Sequence, residues 1–334
     1  MSELAKRQEF SKGRLNKLRG SLSEASKIAA GKACVYVTGS FGRLEASEHS
    51  DLDVFIAGRS DRSGEGIAPK NLLNHLDEIC LQAELIKTSS GFGFPKFTGD
   101  GRYLDHHSIH EFTSTLGTER DDVTNTFTAR LLLLLESKSL VEEAVYTEVV
   151  REVIKSYWRD YADHSSNFMP AFLANDILRL WRTFCVNYEA RTERKPDFEK
   201  AKGKLKNYKL KHSRILTCYS ALLYLLQTYV QNGTVSPDDA IKMVGLTPIC
   251  RLKWLRDVNP KVTEIVQKLL DQYDRFLTTT NATDTALQER FANREVARSL
   301  SEDALTLGNL MFSALGQVGN VEGGGSDFYR LLVV

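Results

Sequence analysis

Ala33-Cys34-Val35-Tyr36-Val37-Thr38-Gly39-Ser40-Phe41-Gly42, then, after a spacer, Asp51-Leu52-Asp53-Val54-Phe55-Ile56-Ala57-Gly58, is the stretch on which the reading of this chain turns. Residues 33–38 are short, apolar and partly β-branched, which predicts a buried strand. Gly39-Ser40-Phe41-Gly42 breaks it, and a short helical stretch with Leu44, Glu45 and Ala46 is expected next. From Asp51 the pattern alternates polar and apolar, then turns fully apolar, predicting a second strand that Gly58 ends. Gly39 permits a tight turn and lets a phosphate approach the backbone. Ser40 sets a hydroxyl beside the N–H groups that open the following helix, and such a terminus attracts anions. Asp51 and Asp53 are two apart on a strand, so both carboxylates face one side. They repel each other unless a cation lies between them, and Mg²⁺ bound through carboxylates and substrate phosphates meets that need. A phosphate cradle facing an acid pair describes a site for phosphoryl or nucleotidyl transfer.

The rest of the chain is consistent with a globular protein. Of the 334 residues, 42% are hydrophobic and 26% charged, which excludes a wholly disordered chain. Lys and Arg number 44 against 43 Asp and Glu, so overall charge argues neither for nor against nucleic acid. Cys34, Cys80, Cys185, Cys218 and Cys250 form no Cys-x-x-Cys pair, which points to reduced thiols in a cytoplasmic protein and away from a structural zinc site. The first twenty residues are charged and lack the apolar core of a secretory signal.

Residues 1–30 are polar, with Leu15, Leu18 and Leu22 at helical spacing. Residues 71–85, with Leu72, Leu73, Leu76, Ile79, Cys80 and Ala83, read as an amphipathic helix. Residues 88–101 read as loop or irregular strand. From Asp121 the pattern is helical, and the run Leu131 to Leu135 is core, as helix or strand. Helix starts are expected at Pro170 and at Ser236-Pro237-Asp238-Asp239. Ile215 to Pro237 carries no formal charge but includes Thr217, Ser220, Gln227 and Asn232, so it reads as the central helix of a helical domain and not as a membrane span. His106 and His110 could share a metal if helical, but nothing nearby completes a tetrahedral set.

The strand, Gly-Ser, ten-residue spacer and Asp-x-Asp strand over residues 35–56 resemble the signature of the polymerase β-like nucleotidyltransferase superfamily. The resemblance implies an α+β fold: a polymerase β-like nucleotidyltransferase core, a small mixed sheet with helices, followed by an all-helical domain. The expected organisation is a catalytic domain over residues 1–136 that includes an N-terminal helix over 1–30, a helical domain over 137–321 closing a nucleotide cleft, and a flexible Gly-rich tail over 322–334. By resemblance, Asp51 and Asp53 bind two Mg²⁺ ions, for which Mn²⁺ can substitute. Gly39 and Ser40 hold the β- and γ-phosphates of a nucleoside or deoxynucleoside triphosphate. An acceptor hydroxyl attacks the α-phosphate and pyrophosphate leaves. A third carboxylate, both catalytic and metal-binding, is implied on a later strand. Asp100 is the choice, because the glycines flanking it let substrate approach, with Asp105, Glu84 and Glu136 as the other candidates.

A basic run, Lys202 to Arg214, stands out in the neutral chain. In related two-domain enzymes a Lys and a Ser of the helical domain close over the triphosphate, roles that Lys209, Lys211 and Ser213 could fill. The same run also reads as a solvated face, or as an oligonucleotide groove with Tyr208 for stacking. Asn175 and Asp176 could face the cleft or make an interdomain contact. Size and architecture look like bacterial antiphage-defence nucleotidyltransferases, the relatives of cyclic-oligonucleotide synthases and the Hailong-type DNA oligomer synthase. This implies a template-independent enzyme making an oligonucleotide or nucleotide signal, with a short oligonucleotide as product or primer, a separate effector protein as partner and no direct membrane insertion. Two other readings are a toxin-like enzyme that nucleotidylates tRNA or protein, and a catalytically silent nucleotide-binding regulator. The intact Gly39, Ser40, Asp51 and Asp53 count against the last. Tyr329, after a glycine linker, is a speculative acceptor hydroxyl.

Overall fold

A computed structural model describes residues 1–61, 69–97, 104–192, 197–321 and 324–333. It divides into two compact units, Ala5–Arg159 and Met1–Leu4 with Asp160–Val334. In chain order the first part runs α1 (Glu3–Ser21), α2 (Ser23–Ala29), β1 (Ala33–Val37), α3 (Gly39–Gly42), β2 (Val54–Gly58), α4 (His75–Gly91), β3 (His106–Ser108), α5 (Ile109–Ser114), α6 (Arg120–Val123), α7 (Thr126–Glu136), β4 (Lys138–Val141) and α8 (Glu143–Tyr157).

The sheet has four strands in the order β3-β2-β1-β4. β1 lies antiparallel to both β2 and β4, and β3 lies parallel to β2. β1 and β2 are buried at every position, which is why their sequences are continuously apolar. One face sets Val35, Val37, Val54 and Ile56 in a core with Leu15 and Leu18 of α1, Ala25 of α2 and Leu81 of α4. On the other face Tyr36 stacks on its cross-strand partner Phe55 with ring centroids 5.6 Å apart. Tyr146 of α8 lies against the same tyrosine at 6.1 Å.

Four features differ from or sharpen the expectations. The unit that holds the sheet does not end at residue 136. β4 pairs with β1, and the unit continues through α8 to Arg159. The leucine run is α7, buried along its whole length, and it carries the chain directly into β4. Around Leu44 the helix ends and does not begin. Leu44 sits in the left-handed region (φ 60) after α3, and Glu45 N donates to Ser40 O at 2.7 Å while Leu44 N donates to Phe41 O at 3.1 Å. This paired closure at a left-handed residue is a Schellman ending. Finally, α4 buries Leu81, Leu85 and Ser89 and turns Leu76, Ile79, Cys80 and Ala83 outward.

The second unit continues as α9 (Ala171–Thr192), α10 (Asp197–Lys209), α11 (Ile215–Asn232), α12 (Pro237–Gly245), α13 (Pro248–Val258), α14 (Thr263–Thr279), α15 (Asp284–Ala292), α16 (Arg294–Gly319), the two-residue strands β5 (Asn320–Val321) and β6 (Gly324–Gly325), and α17 (Asp327–Val333). α11 is its central helix, buried from Ile215 to Cys218 and again from Ser220 to Thr228. It ends at Gly233, whose positive φ of 71 suits a residue without Cβ. Ser236 caps α12 and accepts from Asp239 N at 3.2 Å, and the Asp239 carboxylate returns a bond to Ser236 N at 3.1 Å. Among the described residues no helix is long and apolar enough to cross a membrane. Residues 322–323 of the expected flexible tail lie outside the described residues, but 327–333 are helical, because Phe328 is buried edge-on against Tyr229 at 5.7 Å. Tyr329 packs its ring on Gly319, where a Cβ would overlap it, so the residue read as an acceptor is a packing element of α16 and α17.

Between α5 and α8 the first unit buries a whole ion pair. Arg130 and Asp121 are both fully buried, with Arg130 Nη1 to Asp121 Oδ1 at 2.8 Å and Nη2 to Oδ2 at 2.6 Å. Thr126 and Thr115 hydroxyls complete the carboxylate, and the Tyr157 hydroxyl accepts from Arg130 Nε at 3.0 Å. Burial pushes the Asp121 pKa up, and hydrogen bonds and charge from Arg130 with the threonine hydroxyls outweigh it, so the net shift is downward from 3.8. A depressed carboxyl contributes stability that is present above its ordinary pKa and lost as pH falls through the folded value. Asp121→Asn is therefore expected to cost about 3–5 kcal/mol at neutral pH, because it leaves a buried guanidinium without its counter-charge. In denaturant titrations the gap from wild type should close as pH drops below 3.8. A gap that stays constant with pH would refute this account of the pair.

Candidate active site at the glycine turn

The last ladder pair of β1 and β2 is Val37 opposite Val54. One further bond extends it: Thr38 N donates to Asp53 O at 2.9 Å. The chain then turns at Gly39 with φ +62, and a Cβ there would overlap Oδ2 of Asp53. Glycine is required twice over, by conformation and by the carboxylate lying across the turn. Asp53 is half-buried, whereas Asp51 is exposed and makes no hydrogen bond or ion pair among the described residues. Both acids precede β2, whose ladder begins at Val54 and not at Asp51 as expected.

Ser40, at the first turn of α3, is half-buried, and neither its N–H nor its hydroxyl is hydrogen-bonded among the described residues. Gly39 differs: its N–H donates to Glu136 Oε1 at 3.2 Å. Of the two residues expected to hold phosphate, Ser40 offers open donors and Gly39 supplies space.

Glu136 is a residue that sequence reasoning placed only among the candidates for the third carboxylate. It ends α7, its side chain is fully buried, and its second oxygen accepts from Arg43 Nη1 at 2.8 Å. Arg43 Nε donates to Glu45 Oε2 at 2.8 Å. The carbonyl of Glu136 also approaches Gly42 so closely that a Cβ there would overlap it. Glu136 is thus a staple that fixes the turn. The signal in the sequence was a charged residue closing a five-leucine run and an Arg-x-Glu within an apolar stretch.

Asp100, the chosen third carboxylate, lies outside the described residues. Asp105 is exposed just before β3, and because β3 runs parallel to β2, the chain enters it at the Asp53 end of the sheet. Glu84 sits on α4, half-buried, and accepts from the Thr88 hydroxyl at 3.3 Å. Among the described residues no three His, Cys, Asp or Glu side chains cluster as a metal site. The Asp53 carboxylate beside a Cβ-less turn, with Asp51 two residues before it and the open hydroxyl of Ser40, is a set of hard oxygen donors of the kind that divalent cations take. His106 and His107 occupy β3 and His110 occupies α5, so the helical spacing does not exist. His107 instead stacks on Phe112 at 5.3 Å, and burial lowers the pKa of both His106 and His107.

Lys209, Lys211 and Ser213 lie together in the second unit, where a π-helical turn, Leu210–Arg214, joins α10 to α11. Lys211 is exposed with no ion pair among the described residues. Lys209 pairs with Asp284 at 3.1 Å, and Ser213 Oγ donates to Lys209 O at 2.7 Å. Tyr208 is buried beside His212, Phe276 and Phe291, so it is not a stacking platform for bases. On α9, Asp176 is buried and Asn175 exposed.

Gly39→Ala tests the turn. The left-handed backbone alone should cost about 1–2 kcal/mol, and the overlap with Asp53 should add to it. Combining it with Asp53→Ala should recover the steric part and leave the backbone part, a non-zero coupling in a double-mutant cycle of unfolding free energies. Strict additivity would mean that Asp53 does not lie across Gly39.

No curated protein and no solved structure matches the chain. Residues 15–147 match the model of the family described as the nucleotidyltransferase domain. The matched residues hold the turn, both acids and all four strands of the sheet, so that part of the chain is similar to the nucleotidyltransferase domain.

Proposed function

We propose that the protein is a template-independent nucleotidyltransferase that moves a nucleoside monophosphate from a ribo- or deoxyribonucleoside triphosphate to a hydroxyl and releases pyrophosphate. The observation that carries this reading is the Asp53 carboxylate lying across the Gly39 turn, beside the open N–H and hydroxyl of Ser40. In this reading Ser40 binds triphosphate oxygens and Gly39 lets them approach. Asp51 and Asp53 hold the divalent ions, two Mg²⁺ with Mn²⁺ as a substitute, whose charge offsets that of the triphosphate. Asp100 completes the carboxylate set and takes the proton of the acceptor hydroxyl. The new oxygen–phosphorus bond forms at the α-phosphorus as the bond to the β-phosphate oxygen breaks and its electron pair leaves with pyrophosphate. Lys209, Lys211 and Ser213 contribute to triphosphate binding, with Lys211 the more open of the two lysines.

The reading extends to an oligonucleotide or nucleotide signal in bacterial antiphage defence, read by a separate effector. What supports this is the resemblance together with a nucleotidyltransferase-type unit and a largely helical one in a single chain. The test is incubation of purified protein with Mg²⁺ or Mn²⁺ and each labelled nucleoside triphosphate, with and without tRNA. Free oligomers or cyclic species are expected. Label on tRNA or protein would move the acceptor to those molecules, and nucleotide binding without turnover would leave a silent regulator. Asp51→Ala with Asp53→Ala should abolish turnover while the thermal midpoint stays near wild type; full activity in that variant would end the proposal. Lys211→Ala should raise the Michaelis constant for the triphosphate, and an unchanged constant would make the basic run a solvated face only.

A further inference from the structure

The π-helical turn Leu210–Arg214 contains one residue more per turn than the α-helices on either side of it, and turns of this kind are rare. Two of its side chains bond back to the chain just ahead. His212 Nδ1 lies 2.9 Å from Tyr208 O, and Ser213 Oγ donates to Lys209 O at 2.7 Å. These are the carbonyls that a regular helix would bond to the amides of residues 212 and 213. A carbonyl only accepts, so Nδ1 carries the imidazole proton. Nε2 is then a buried acceptor with no hydrogen-bond partner among the described residues.

The His212 ring is fully buried. It lies parallel to Phe276 of α14 with centroids 4.5 Å apart and packs on the Tyr208 ring at 4.4 Å. Phenylalanine would fill that slot without an unmet buried nitrogen, at a lower cost. What histidine adds here is the Nδ1 donor. Burial lowers its pKa from 6.5 to about 4, against the opposing pull of the Tyr208 carbonyl and of Asp303 on α16, so the ring is neutral at neutral pH. Lys209, on one side of the turn, pairs with Asp284 at 3.1 Å, whereas Lys211 is exposed with no ion pair among the described residues.

We propose that His212 is a positioning residue: its Nδ1 donor holds the widened turn, and the turn presents Lys211 to triphosphate. The inference rests on the reading of Lys211 as a phosphate contact and adds what fixes that contact in place.

Two substitutions separate the donor from the ring. His212→Phe keeps a ring between Phe276 and Tyr208 and removes the donor. His212→Asn removes the ring and keeps an N–H near the Nδ1 position. Stability and binding should then part company. In denaturant titrations the Asn variant should be the less stable of the two. Calorimetric binding of inorganic triphosphate with Mg²⁺, a probe without a base, should weaken roughly tenfold in His212→Phe and recover toward wild type in His212→Asn. His212→Phe combined with Lys211→Ala should bind no more weakly than Lys211→Ala alone, a test that does not need the Asn variant to fold. Nitrogen NMR of histidine-labelled protein, with His212→Phe to assign the signal, should show the Nδ1–H tautomer at neutral pH. An Nε2–H tautomer, additive losses in the double variant, or binding that follows stability instead of the donor would overturn the role of His212 and leave the phosphate reading of Lys211 standing. Binding that Lys211→Ala leaves unchanged would remove that reading, and this role with it.

Discussion

The Thr38 N to Asp53 O hydrogen bond continues the β1–β2 ladder one step past its last valine pair, and the rest of the candidate site depends on it. A strand slipped by one residue would turn its side chains to the opposite face of the sheet. The two faces here are not interchangeable. One takes valines and isoleucine against α1, α2 and α4, and the other takes the stacked Tyr36 and Phe55. That asymmetry fixes the register, and the register brings Asp53 to the glycine where the chain leaves β1. The geometry of the candidate site is thus a by-product of how the core sorts large aromatic from branched aliphatic side chains.

A buried polar network holds the turn where hydrophobic packing alone could not. Arg43, Glu45 and Glu136 have almost no contact with solvent, yet Arg43 pairs with both carboxylates and Glu136 also accepts the Gly39 N–H. Such groups are costly to bury unpaired, so the network either forms complete or exacts a large penalty. The result is a rigid support behind a front that keeps Asp51 and the Ser40 donors uncommitted. Support and open edge come from different parts of the sequence, α7 behind and the β1–α3 and β2 approaches in front.

Much of this was legible in the sequence. The strand, the Gly-Ser break and the Asp-x-Asp approach are local signals, because apolar runs and glycines report on the residues that carry them. The second unit's helices were legible for the same reason: Ser236-Pro237 and the uncharged run after Arg214 state their own structure. What escaped was set by distant partners. Glu136 reads as the end of an apolar run until Gly39 and Arg43 are seen to meet it. β4 lies beyond the boundary drawn at residue 136 because a four-residue strand carries little pattern of its own, and its pairing with β1 defines it. α4 was expected to bury the residues that it exposes, since both its sides are apolar and periodicity alone does not say which faces the core.

The staple at Glu136 joins residues 97 apart to Gly39 and 93 apart to Arg43. During synthesis the segment that begins at Ala33 leaves the ribosome long before its counterpart does. Until Glu136 has emerged, Arg43 has no remote carboxylate and Gly39 has no acceptor for its N–H. A partly made chain therefore carries every residue of the glycine turn and both acids without the means to hold them in place. The glycine turn can therefore take its final form only after residue 136 has been made, however early its own residues arrive.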